Sequence, residues 1–169
     1  DRALDSAERC RRAADQQQHV VARPIVQVVL GLARIIRGEV RDGLAAIAQA
    51  DAMGRETSAY VRSIIAPFAI DGYLAAGRLT DALNAAQEQG NLLGTHESQE
   101  GQVRLWVHLA EIHGRMGQAE MAAEYADRAI KGALDLDAKG LLVRAQRTRA
   151  WLARQAGHAD FALKIAERA

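Results

Sequence analysis

The chain has 169 residues, enough for one medium-sized domain or a short stack of repeats. Apolar residues make up 49% and aromatic residues only 4%, with 2 prolines, so small helix-favouring side chains have to build the core. The formal charge of +1 gives no bulk attraction to nucleic acid or to an acidic membrane, and a single cysteine, Cys10, excludes an internal disulfide or a thiolate metal cluster.

No apolar stretch approaches membrane-spanning length: the most apolar region, 20–36, is broken by Arg23, Pro24, Gln27 and Arg34. There is no signal-like start, and a chain beginning at Asp1 is expected to be a piece of a longer, cytoplasmic protein.

In chain order, segment 3–18 reads as the second helix of a hairpin, with Ala7 and Ala14 as its small positions. Four glycine turns follow, at Gly38, Gly77, Gly117 and Gly157, separated by 39, 40 and 40 residues. Five positions after each lies Gly43, Ala82, Ala122 or Ala162, and seven before lies Gly31, Ile70, Ala110 or Ala150. Antiparallel helices approach closely only where facing side chains are small, and glycine tolerates the backbone angles that end a helix. The pattern therefore predicts helical hairpins over 21–55, 56–95, 96–136 and 137–169 of a single repeat domain spanning 1–169, about nine helices in all. Helical periodicity agrees, with Val103, Trp106, Val107, Leu109 and Ala110 on one face, and Ala119, Ala122, Ala123, Ala126 and Ile130 on the next. Pro67 lies well inside the first helix of the second hairpin, where a bend or break over 63–67 is expected.

Trp106, Leu109, Ala110, Gly117, Ala122 and Ala129 are spaced in a way that resembles the tetratricopeptide signature. That likeness implies an all-α fold, a right-handed superhelical stack of antiparallel hairpins. The stretches IDGYLAAGRLTDALNAAQEQGNLLG and LAEIHGRMGQAEMAAEYADRAI resemble the helical repeats of bacterial LuxR-type, MalT-like regulators and cyclase-linked signalling ATPases. The resemblance runs from about Val20 to Ala169 and implies the regulatory repeat region of a larger signalling or transcription-control protein.

In such stacks the first helix of each hairpin lines the concave surface. The turn offsets place Ile25, Val28, Leu32 and Ile35 there in the first hairpin, and Ile64, Asp71 and Leu74 in the second. The third offers Arg104, Val107 and Glu111; the fourth offers Arg144, Arg147, Trp151 and Arg154. Arginines around a tryptophan hold carboxylates in a fork and stack on flat groups, so the partner-binding residues are expected to be Arg104, Glu111, Arg144, Arg147, Trp151 and Arg154. The alternative is a solvated arginine face with Trp151 in the core. The apolar stripe of the first hairpin is expected to pack as core against an absent N-terminal hairpin, with a groove for an apolar helix as its alternative.

The expected function is a protein–protein interaction scaffold, for a protein or peptide with an acidic or C-terminal segment. The alternative is a peptide or small-ligand sensor that uses the concave groove, and self-association through exposed end repeats is a further expectation. No catalysis, cofactor or metal is expected. His108 and His113 are five apart, on different helix faces, and His113 takes a position expected to be buried and hydrogen-bonded. His96, Glu97 and Glu100 form at most an adventitious metal group. Ser58 and Ser63 have no His–acid arrangement near them, Asp135 and Asp137 are expected to cap the following helix, and Cys10 is expected to be inert.

Overall fold

The computed structural model describes residues 2–94 and 98–158, and among these every regular element is an α-helix. The helices are α1 (Arg2–Gln16), α2 (Ala22–Ile36), α3 (Val40–Thr57), α4 (Ala59–Ala75), α5 (Leu79–Leu93), α6 (Gln99–Arg115), α7 (Ala119–Asp135) and α8 (Lys139–Gln155). The ninth expected helix falls on 159–169, outside the described residues. The helices gather into two compact units, Asp1–His96 and Glu97–Ala169. The first holds α1 to α5 and the second α6 to α8. None of the described helices is long and apolar enough to cross a membrane.

One turn device recurs along the chain. Gly38, Gly77, Gly117 and Gly157 take φ values of 89°, 70°, 78° and 81°, the left-handed region that a Cβ disfavours. The N–H of the following residue then reaches back into the finished helix, as from Glu39 to the Arg34 carbonyl at 2.9 Å and from Gln118 to that of His113 at 2.9 Å. This closes the orphan carbonyls at the helix end and reverses the chain within three residues. Gln18 (φ 46°) and Asp137 (φ 49°) perform the same reversal after α1 and α7 without a glycine. Asp137 is therefore a turn residue and not the expected cap; the residue preceding α8 is Ala138, whose side chain caps nothing. Between α3 and α4 a serine serves instead: Ser58 is extended and its Oγ accepts from the Val61 N–H at 3.2 Å.

In the first unit α2 and α3 form one hairpin and α4 and α5 the next, with α4 also packed on α2 and α3. The α2–α3 crossing is made at Gly31 and Gly43. A Cβ at Gly43 would lie 2.6 Å from the Gly31 carbonyl oxygen, so backbone touches backbone there. Branched side chains fill the rest: Val28, Ile35, Ile47, Val61 and Ile65 are buried together with Ala50 and Ala69.

Helix α4 runs unbroken through Pro67, so of the expected bend or break the break does not occur. A proline costs a helix interior about 3 kcal/mol. Val61, Ile65, Ile70 and Leu74 are all buried on this helix, each contributing roughly 1.5–3 kcal/mol, so burial of the continuous helix outweighs the lost hydrogen bond.

In the second unit α6 packs on α7 and on α8, and α7 packs on α8. Its core is mostly methyl groups: Ala110, Ala122, Ala126, Ala129, Ala133 and Ala145 are each at most 1% exposed. Val103, Val107, Leu141 and Leu152 complete it.

Candidate functional site

In the second unit, α6 and α8 carry the residues that line an open hollow. Glu111 and Arg115 are one turn apart on α6, while Arg144, Arg147, Thr148 and Trp151 follow one another at helical spacing on α8. Packing of α6 against α8 brings these six side chains around one open hollow of about 590 Å³.

Three guanidinium groups face one carboxylate in this hollow, a local excess of positive charge in a chain that is nearly neutral. Arg115 Nη2 donates to Glu111 Oε1 at 2.6 Å, so Glu111 is partly neutralised from its own helix. Thr148 Oγ donates to the Arg144 carbonyl at 3.1 Å, which leaves its oxygen as an acceptor. Arg147 is exposed.

Trp151 is half-buried because α6 makes room for it at Gly114. A Cβ there would lie 2.6 Å from the indole Cζ3 and 2.5 Å from Leu152 Cδ2. The indole also packs against the core of Ala110, Ala122, Ala126 and Leu152. It is thus both a core residue and part of the hollow's lining. Such fixing lowers the entropy cost of stacking a flat group upon it.

Of the six residues expected from sequence, the structure brings four together: Glu111, Arg144, Arg147 and Trp151. Arg104 lies outside the hollow and pairs with Glu100 at 3.5 Å, and Arg154 is exposed near the end of α8 and does not line it either. Two lining residues were missed, Arg115 and Thr148. The signal for Arg115 was its four-residue step from Glu111, an ion-pair spacing that keeps both on one helix face.

The expected apolar stripe of the first hairpin is corrected in detail. Val28 and Ile35 are core residues packed with Ile47, Val61 and Ile65 from α3 and α4, so no absent hairpin is needed to bury them. Ile25 packs at the edge of the same core, and Leu32 is half-buried. Leu74 and Val107, also placed on the concave face, are buried as well. The turn offsets alone do not separate the buried positions of these helices from the exposed ones.

Other polar candidates have structural employment. His113 is buried, its Nδ1 shares a hydrogen bond with Gln118 Oε1, and its ring stacks on Tyr125 at 5.5 Å and 9°. Ser58 caps α4, and Ser63 Oγ donates to the Tyr60 carbonyl at 2.7 Å. Cys10 is exposed on α1. No group of three potential metal ligands occurs among the described residues; His96 and Glu97 lie outside them.

Comparisons of the chain with protein-family models, curated proteins and solved structures find no match.

Proposed function

We propose that this chain is a protein-interaction module whose α6–α8 hollow holds the acidic or carboxyl-terminal end of a partner polypeptide. The observation that carries the reading is the convergence of Arg115, Arg144 and Arg147 on a hollow edged by a half-buried tryptophan. Guanidinium forks match carboxylate geometry, and each charge-assisted hydrogen bond contributes about 1.5–3 kcal/mol. A flat residue next to the partner's acid would stack on Trp151. The wider role follows from the resemblance of the glycine-turn repeats: a regulatory repeat segment of a larger bacterial signalling or transcription-control protein. Hairpins that contact mainly their neighbours change curvature when a ligand spans them, and that is how such a segment would pass on binding.

The test is fluorescence anisotropy with a short labelled peptide ending in acidic residues and a free carboxylate. Arg144→Ala with Arg147→Ala is expected to weaken binding at least tenfold, and raised salt should weaken the native complex in parallel. Equal affinity for native and doubly substituted chains would remove the hollow as the site. Amidating the peptide separates recognition of its terminal carboxylate from recognition of its acidic side chains.

A further inference from the structure

The first unit contains a cavity of about 210 Å³ lined from α2, α3, α4 and α5. Its floor is apolar: Val28, Ile47, Ile65 and Ala69 are all buried. The side toward solvent carries Arg55 and Glu88, both substantially exposed, and behind them Gln89 and Arg62.

The charges here cancel one another within the protein. Arg55 pairs with Asp51 at 2.9 Å and with Glu88 at 3.2 Å, and Arg62 Nη2 also pairs with Glu88. Asp81 is held by Arg78 at 2.6 Å. Tyr73 lines the cavity as well. Its phenol is held above the ordinary range by burial first and then by Asp81 and Asp51, so it stays neutral. A charged ligand would have to compete with these pairs; a neutral one does not.

Two polar atoms are left over. Gln89 is only 1% exposed, yet its Oε1 accepts no hydrogen bond, and Arg62 Nε, also buried, donates none. Native interiors rarely keep such groups unpaired, because each forfeits its bond to water and gains nothing in return. Arg62 and Gln89 belong to α4 and α5, the two helices of one hairpin, and both line the same cavity. The terminal torsion of a glutamine is soft, so the Gln89 amide can turn its oxygen toward a bound molecule without leaving a rotamer well. In size, a cavity of about 150 Å³ accepts benzene, so this one suits on the order of eight non-hydrogen atoms.

We propose that this cavity binds a small neutral lactam or amide. Its N–H donates to Gln89 Oε1 once that amide turns toward the cavity, and its carbon skeleton lies on the Val28, Ile47, Ile65 and Ala69 floor.

The test uses the full chain with isotope-labelled methyl groups, titrated with 2-piperidone and, separately, with N-methyl-2-piperidone. The lactam is expected to shift the Ile47 and Ile65 methyl signals saturably, and the N-methyl compound, which lacks the donor, to bind about tenfold more weakly. Gln89→Leu should weaken the lactam about tenfold while leaving the N-methyl compound unchanged. The same substitution removes an unpaired buried acceptor at similar volume, so its Tm should match or exceed that of the native chain. Absence of saturable shifts, equal binding of the two compounds, or unchanged lactam binding by Gln89→Leu would each overturn the proposal. A lowered Tm would overturn it too, because it would show that Gln89 already serves the fold. The N-methyl comparison needs no variant and so decides the question even if Gln89→Leu fails to fold.

Discussion

The two units solve the same packing problem with different side chains. In the first, α2 and α3 meet through bare backbone at Gly31 and Gly43, and branched aliphatics such as Ile47 fill the space around that crossing. In the second, alanines hold the helices apart by one methyl group, and each tryptophan covers a glycine, Trp106 over Gly132 and Trp151 over Gly114. The first unit keeps a cavity among four of its helices, with an apolar floor and polar residues toward solvent. In the second unit the feature of interest is an open hollow between the exposed ends of arginines. Core composition thus differs between the two units, and so do the hollows they carry, one with an apolar floor among four helices and one edged by arginines on α6 and α8.

The largest expected effect is at Ile47, which is fully buried and touches the glycines of both neighbouring helices. Ile47→Ala should cost the first unit about 2–5 kcal/mol. Both tryptophans of the chain, Trp106 and Trp151, lie in the second unit, so their fluorescence reports that unit alone. Urea denaturation followed by circular dichroism should shift to lower midpoint while the tryptophan transition stays in place. A shift of both together would break the two-unit description.

A smaller effect is expected at Gly114. Valine there must displace Leu152 and the indole of Trp151, an overpacking cost of roughly 1–3 kcal/mol. Emission should move to the red as Trp151 leaves its seat, and peptide binding in the hollow should weaken although every arginine remains. Unchanged emission would mean that Gly114 does not seat the indole.

The smallest effect separates the glycine turns from the others. Asp137 pays a steric penalty at φ 49° that Gly117 avoids at 78°. Asp137→Gly should raise the stability of the second unit by about 0.5 kcal/mol, read as a small upward shift of the tryptophan transition. A loss of stability would show that the aspartate side chain holds the turn.

The hairpin turns were legible because glycine at a helix end has one dominant cause, and the near-equal intervals showed that the cause repeats. The site was legible in part. Arg144, Arg147, Thr148 and Trp151 lie close along one helix by spacing alone, whereas Glu111 and Arg115 join them only through the packing of α8 on α6. Arg104 and Arg154 lie on the same helices as the site residues but do not line the hollow. Gln89 gave no signal at all, since a glutamine among alanines and leucines looks like any half-exposed helix position until burial is known.

By itself the sequence determined the eight described helices in outline, the glycine turns and the close approach at Gly31 and Gly43, which follow from residue type and spacing along the chain. The tertiary structure decided what depends on distant residues. It carried α4 on through Pro67 without a break, because burial along its length outweighs one lost hydrogen bond. It turned Val28 and Ile35 into core, because α3 and α4 lie against them. And it left Gln89 Oε1 without a partner, because burial on α5 removes water from a group for which no neighbouring side chain supplies a donor.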